Sequence, residues 1–281
     1  MPELIDELKQ IKLAIFDLDG VVYRGQKLIP KVDKIIQDLK ELSIRVIYNS
    51  NNSTATRQMY VKRLRNFGIE SEISHFYTSA SITASEITKI KKKSNIFIIG
   101  EKGLREELQV MGHNIMINPK NFNDIDFVIV GLDREFTYKK LAIAQKCILE
   151  GHAQFYATNT DSTLPAVHSL LPGAGTMVNA LKTCTDKQPI KIFGKPEPYG
   201  INLILEDTHI PAKNACIFGD RLNTDIVAGN RAGIITIAVL TGVTSEDMIN
   251  DLKYKLKESN LIDKNLMPDL VIQSLNEIFK N

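Results

Sequence analysis

Residues 11–25, Ile-Lys-Leu-Ala-Ile-Phe-Asp-Leu-Asp-Gly-Val-Val-Tyr-Arg-Gly, constrain the fold more than any other stretch of the chain. Leu13, Ala14, Ile15 and Phe16 form a short apolar run bounded by turn residues. That is the pattern of a strand buried on both faces, as in the middle of a parallel sheet. The run ends in Asp17 and Asp19, followed by Gly20. Carboxylates at the C-terminal end of a parallel strand lie where open α/β sheets bind ligands. Two acids so close repel each other and lose hydration, which a Mg²⁺ ion on hard oxygen ligands would relieve. The same residues also suit an ordinary polar Asp-Gly turn, so the choice depends on the rest of the chain.

Three later segments repeat the logic of an apolar run with polar chemistry at its end. The strand expected at 44–49 leads into Ser50-Asn51-Asn52-Ser53-Thr54. This cluster reads either as a helix N-cap, with Ser53 or Thr54 capping a helix that runs to Gly68, or as a grip on an anion. The run Ile-Lys-Ile-Phe-Gly at 190–194 precedes Lys195-Pro196, which is either an exposed lysine or a fixed ammonium. Ala215–Gly219 precedes Asp220, and Asp225 follows near the start of a helix that ends at Gly233.

Between these segments, a second α/β rhythm begins at about residue 95. Strands are expected at 95–100, 113–117, 126–133 and 153–159, and helices at 101–112, 137–151 and 174–184. After Asp225 come a strand at 234–240, a helix at 245–258, a short strand at 270–272 and a final helix. The pattern predicts an α/β protein: a doubly wound parallel sheet interrupted by an inserted α/β unit. The expected core is 1–90 and 189–281 and the insertion 91–188, with the helix at 82–92 able to join either side.

The motif Asp17-Leu18-Asp19-Gly20-Val21-Val22-Tyr23-Arg24-Gly25 resembles the signature loop of haloacid dehalogenase-superfamily phosphatases. It is most similar to the subgroup with a large type II cap, which includes para-nitrophenyl phosphatase-like and NagD-like enzymes. Ser50-Asn51-Asn52, Lys195 and Asp220/Asp225 match the remaining motifs in order. The resemblance implies a Rossmann-like core with a cap, Mg²⁺ as cofactor and hydrolysis of a small phosphate ester. It implies Asp17 as nucleophile and Asp19 as acid and base. Ser50, Asn51, Asn52 and Lys195 would bind the phosphoryl group. Asp17, the Asp19 carbonyl and Asp220 would hold the metal, and Asp225 would orient a metal water or Lys195. One departure is Asn223, where many relatives carry an Asp. The carboxylate pairs suit phosphoryl transfer better than dehalogenation.

A phosphomutase, or a phospho-acceptor protein using the site as a switch, would need similar groups. Asp19 argues against the switch, because a long-lived aspartyl phosphate would not want a base beside it. In the insertion, Asn159 and Asp161 follow an apolar strand in a loop rich in hydroxyls, without an aromatic ring, Lys or Arg. They are the candidates for choosing a sugar, polyol or similar monophosphate.

With 35 basic and 33 acidic residues the formal charge is +2, which gives no special attraction to nucleic acid or membrane. No apolar stretch approaches the roughly 20 residues of a membrane span, and the N-terminus lacks the basic and apolar regions of a signal peptide. A cytoplasmic enzyme is expected. Cys147, Cys184 and Cys216 are widely spaced and suggest neither zinc nor disulfides. Homodimers formed through the cap are common among relatives, which leaves a homodimer open.

Overall fold

The structure is a computed structural model that describes residues 2–165, 169–259 and 261–280. In chain order it runs β1 (Leu13–Phe16), β2 (Tyr23–Arg24), β3 (Lys27–Leu28), α1 (Val32–Glu41), β4 (Arg45–Ser50), α2 (Arg57–Asn66), β5 (Phe76–Thr78) and α3 (Ser79–Ile90). Next come β6 (Asn95–Ile99), α4 (Lys102–Val110), β7 (Asn114–Ile115), β8 (Phe127–Val130), α5 (Tyr138–Leu149) and β9 (Gln154–Ala157). Then follow β10 (Thr163–Pro165), β11 (Leu170–Pro172), α6 (Ala174–Thr185), β12 (Lys191–Ile192) and α7 (Tyr199–Thr208). The chain closes with β13 (Ala215–Gly219), α8 (Val227–Ala232), β14 (Ile235–Val239), α9 (Glu246–Glu258) and β15 (Leu270–Ile272).

Two compact units result. The first comprises Met1–Ser50, Val61–Tyr77 and Lys195–Asn281, and the second Asn51–Tyr60 and Thr78–Gly194. The sheet of the first has the order β15-β14-β13-β1-β4-β5. Its β1 pairs in parallel with both neighbours, Phe16 lying beside Phe218 on one side and Tyr48 on the other. All four residues of β1 are buried, as a strand flanked on both faces by helices requires. Leu13, Ile15, Ile47 and Ile217 pack against Ile201 and Ile204 of α7, and the Phe16 and Phe218 rings stack at 4.7 Å. From β1 the chain moves outward through β4 and β5, then returns to the other side of β1 through β13, β14 and β15. The reversal falls between β1 and β13, the switch point at which such sheets open a crevice at their carboxyl ends.

The second unit has its own parallel sheet, ordered β12-β9-β8-β6-β7, and a small antiparallel hairpin of β10 and β11. Its core gathers Phe97, Ile99, Val128, Val130 and Phe155 from the strands with Ala144, Cys147, Val178 and Leu181 from α5 and α6.

Several expectations change. The run 190–194, read as a core strand, supplies only Lys191–Ile192 as an edge strand beside β9 in the second unit. Helix α3 belongs to the second unit, as does Asn51–Tyr60. That segment is anchored by side chains and backbone far away in sequence. Arg57 makes a two-pronged contact with the buried Glu107 at 2.8 Å per prong, and the Gly103 N–H donates to the Thr54 carbonyl at 2.9 Å. The cap of α2 is Thr56, whose hydroxyl accepts from the Met59 N–H, not Ser53 or Thr54. The strand expected at 113–117 is only Asn114–Ile115. The final helix is a 3₁₀ turn, Leu275–Ile278. The cysteines are free, Cys147 and Cys216 being buried. Among the described residues, no helix is long and apolar enough to cross a membrane.

Candidate active site

Asp17 follows β1 directly, and its N–H donates to the Phe218 carbonyl at 2.9 Å, which extends the ladder one residue past the strand. Its side chain therefore emerges at the switch point beside the end of β13. Asp220 follows β13, and Asp225 sits in the π-helical turn Leu222–Ile226 that leads into α8. One carboxylate oxygen from each of Asp17, Asp220 and Asp225 lies within 4.8 Å of the others. Such turns often mark functional sites because they re-aim side chains within a helix. Here the turn lets the Asp225 carboxylate fold back to accept from the Arg221 N–H at 3.1 Å.

Lys195 binds this acidic group together. Its ammonium lies 2.6 Å from Asp17 Oδ1 and 2.6 Å from Asp225 Oδ1, and it donates to the Asn49 carbonyl at 2.9 Å. The side chain is 4% exposed, so its charge is met by protein oxygens rather than by water. Burial opposes its charge, but Asp17 and Asp225 outweigh that and raise its pKa above the ordinary lysine value. Burial pushes Asp17 up to about 8 despite Lys195, with Asp225 and Asp220 adding repulsion. Asp220 is pushed up to about 6 by burial and by Asp225, against the opposing Val243 N–H.

The Asp220 carboxylate accepts from the Val243 N–H at 2.8 Å, and its main-chain carbonyl accepts from the Thr244 hydroxyl at 2.7 Å. Two glycines make room for it. A Cβ on Gly242 would meet Asp220 Oδ2 at 2.0 Å, and one on Gly20 would meet it at 2.3 Å. Gly20 also has φ +91°, a conformation that side chains rarely adopt. The Thr241 hydroxyl fixes the Gly20 carbonyl at 2.7 Å. This Thr241–Thr244 loop escaped the sequence reading. Its position after β14, one more strand end of the same sheet, was the available signal.

Asp19 is exposed. Burial of its carboxyl raises its pKa, while the Gly25 backbone and the cations Arg63, Arg221 and Arg24 oppose the rise. Residues 21–28 form the short β2–β3 ribbon, where Arg63 lies 4.1 Å over the Tyr23 ring and donates to the Gly25 carbonyl. Ser50 ends β4, next to β1 in the sheet.

The remaining candidates lie in the second unit. The Asn52 side-chain oxygen accepts from the Thr54 N–H at 2.7 Å and from its hydroxyl at 2.8 Å, which shapes the loop. Asn51 donates to both oxygens of Asp161 at 3.2 Å. Asn159 is 4% exposed, donates to Asp161 at 2.9 Å and accepts from the Thr158 hydroxyl at 2.9 Å. Thr163–Pro165, expected as loop, is a strand of the β10–β11 hairpin.

Three oxygen-donor carboxylates stand around one fixed ammonium at the carboxyl end of a doubly wound sheet, an arrangement able to hold a metal ion and to serve phosphoryl chemistry. The sequence places the chain in a known family. Residues 14–114 match the haloacid dehalogenase-like hydrolases, and residues 192–278 match a second, HAD-hydrolase-like description. A 5'-nucleotidase of Bacillus subtilis is 33% identical over 244 residues, covering 87% of this chain and 93% of that protein. An acid sugar phosphatase of Staphylococcus aureus is 34% identical over 271 residues, covering 96% and 97% of the two chains. A solved 4-nitrophenylphosphatase of Thermotoga maritima superposes with a TM-score of 0.85 at 32% identity, covering 96% of this chain and 97% of that one. The chain belongs to the haloacid dehalogenase-like hydrolases. Within that family it is a phosphoric monoester hydrolase with a parallel core sheet and a separate cap.

Proposed function

We infer that Asp17 is the nucleophile of a Mg²⁺-dependent reaction that passes through an aspartyl phosphate. The observation that carries this reading is the Asp17–Lys195–Asp225 arrangement beside Asp220. The donor set fits Mg²⁺: carboxylate oxygens are the hard ligands it prefers, and burial with mutual repulsion raises the pKa of Asp17 and Asp220, which a divalent charge beside them would lower. Asp17, the main-chain carbonyl of Asp19 and Asp220 would hold the ion. When bound it supplies positive charge to the attacking carboxylate and to the anionic substrate.

The chain's own residues do the rest. An Asp17 oxygen attacks phosphorus, forming one P–O bond as the P–O bond to the leaving alkoxide breaks. Asp19 gives its proton to that alkoxide, then takes one from the water whose oxygen attacks the phosphorus, and the Asp17–phosphorus bond breaks. The raised pKa of Asp19 suits it to hold the proton for the first step. Ser50, the backbone N–H of Asn51 and Lys195 stabilise the phosphoryl oxygens. Asp225, committed to Lys195 at 2.6 Å, holds that ammonium in place. Asn52 keeps the loop after Ser50 in its turn.

The second unit, 51–60 and 78–194, acts as the cap that selects the leaving group. The Asn159–Pro165 segment carries the hydroxyls of Thr160, Ser162 and Thr163 and no ring on which a base could stack. That supports a sugar or polyol monophosphate, the substrate class named for the staphylococcal relatives. The nucleotidase relative supports a nucleoside monophosphate instead. A screen of phosphorylated metabolites for phosphate release decides between them. Sugar and polyol monophosphates are expected to lead, and a clear lead of nucleoside 5'-monophosphates would overturn the sugar assignment.

A further inference from the structure

The chain passes between its two compact units at Ser50–Asn51 and again at Gly194–Lys195. Each passage joins a residue proposed to bind the phosphoryl group, Ser50 or Lys195, to a residue of the second unit. The second unit holds its ends of both passages in one polar knot. The Asn51 carboxamide donates to both oxygens of Asp161 at 3.2 Å, and its carbonyl accepts from the Ser79 hydroxyl at 2.7 Å. Asp161 also accepts from Asn159 at 2.9 Å. Gly194 donates its N–H to the carbonyl of Thr158, the residue before Asn159, at 2.7 Å. A Cβ on Gly194 would lie 2.7 Å from the Asn51 side-chain oxygen and 3.0 Å from Asn159 Cβ. Asn51 and Gly194 are therefore seated side by side, with the Asp161 carboxylate as the charged member that fixes the Asn51 amide.

The first unit ties its own ends in the same way. Lys195 donates to the Asn49 carbonyl at 2.9 Å, and the Asn49 carboxamide donates to the Tyr77 carbonyl at 3.1 Å. Tyr77 is the last residue before a third passage, Tyr77–Thr78, and Ser79 stands just beyond it. These three of the chain's four passages are thus linked by hydrogen bonds within each unit, the fourth being Tyr60–Val61.

We propose that Asp161 is a positioning residue for the chemical step: by clamping the Asn51 side chain it sets the Ser50–Asn51 peptide, whose N–H donates to a phosphoryl oxygen. It does so for every substrate alike, whatever the leaving group. Its carboxylate suits the task because it accepts from both carboxamides, each bond strengthened by its charge. A carboxamide at 161 would turn one donor toward other donors. This inference rests on the phosphoryl-binding role proposed for Ser50, Asn51 and Lys195.

The test compares Asp161→Asn, which keeps the shape, and Asp161→Ala with Asn51→Ala and with the Asp161→Ala/Asn51→Ala double variant. The substrates are para-nitrophenyl phosphate and a panel of sugar monophosphates with Mg²⁺, and orthovanadate serves as a mimic of the transferring phosphoryl group. A displacement of about 1 Å at a reacting centre costs on the order of 10²-fold in rate. The single Asp161 variants are expected to lose kcat by about that factor on all esters, with KM little changed. Orthovanadate inhibition should weaken in step with kcat, which a general loosening of the fold would not produce. The double variant should be no slower than Asn51→Ala, because Asp161 acts through that side chain. A changed substrate ranking with para-nitrophenyl phosphate turnover preserved would overturn the proposal, since Asp161 would then touch the leaving group. Additive losses in the double variant would overturn it as well. Activity that survives Asp17→Asn would instead strike the covalent reading on which the inference rests.

Discussion

Replacing Lys195 by Met keeps the length of the side chain and removes its charge. The ammonium is 4% exposed, and its partners Asp225 and Asp17 are 2% and 13% exposed. The variant therefore strands the Asp225 carboxylate and the Asn49 carbonyl, and Asp17 wherever it is ionised, in a site that water hardly reaches. Breaking a buried pair by removing one partner costs about 3–5 kcal/mol, because the remaining charge is left uncompensated. At roughly 2–4 °C per kcal/mol for a chain of this size class, the midpoint falls by roughly 6–20 °C. Denaturant unfolding of the metal-free protein at pH 7.5, followed by circular dichroism, measures the loss directly. The loss should shrink as pH falls, since protonated carboxyls need no cation beside them. The variant should also lose about 10²–10³-fold in kcat, the usual effect of removing a donor aimed at developing charge. A loss below about 1 kcal/mol, the value of an exposed pair, would refute the claim that Lys195 is the fixed centre of the site.

Asp17→Asn, which removes the attacking charge at constant size, should abolish turnover while circular dichroism and the melting midpoint show an intact fold. Chelation should silence the wild-type enzyme and Mg²⁺ restore it, and near pH 7 calorimetry should detect protons released as Mg²⁺ binds, fewer at pH 9 where Asp17 is already ionised. His113 in the second unit supplies a pH test away from the site. Thr88 Oγ1 donates to the Ala84 carbonyl, so His113 Nε2–H donates to Thr88 at 2.9 Å and Nδ1 accepts from Ser94 at 2.7 Å. Burial lowers its pKa below 6.5, so the unfolded chain binds the proton more readily. Its contribution is present in full above pH 6.5 and is lost as pH falls from there through the folded-state pKa. The stability gap between wild type and His113→Ala should narrow between pH 7.5 and pH 5, and a gap independent of pH would count against the bonded neutral ring.

The candidate strand ends were legible because the chemistry restricts them. Few residue types serve as a nucleophile, a metal ligand or a fixed cation, and apolar runs announce the strands that carry them. Asp17, Ser50 and Asp220 follow such runs, and the structure places all three at the carboxyl end of the first unit's sheet. The boundary between units was not legible, because tertiary contacts decide it. Asn51–Tyr60 follows β4 in the chain, yet the Arg57–Glu107 pair and the Gly103–Thr54 hydrogen bond hold it in the second unit. An apolar run such as Ile190–Phe193 fits the edge of either sheet, and only its partner, β9, settles which. The β10–β11 hairpin was hidden because Thr-Leu-Pro and Leu-Leu-Pro carry too little alternation to signal strands. The bond between Asp161 and Asn51 leaves no local signal, because the two lie 110 positions apart.

The site's charge balance explains why such a fold would need a divalent cation. Asp17, Asp220 and Asp225 contribute three negative charges when ionised and Lys195 one positive charge, so the cluster carries a net charge of −2. A monoanionic nucleophile in that field would meet a substrate of the same sign, and repulsion would oppose attack. Burial, with the repulsion between the carboxylates added to it, moves Asp17 up to about 8 and Asp220 up to about 6. But a protonated Asp17 cannot attack. Lys195 does not resolve the conflict alone, because Asp225 shares its charge. A cation of charge +2 on the oxygens of Asp17 and Asp220 would neutralise the cluster and would keep Asp17 ionised at neutral pH. The glycines at 20 and 242 leave room for the Asp220 carboxylate, which a side chain at either position would displace.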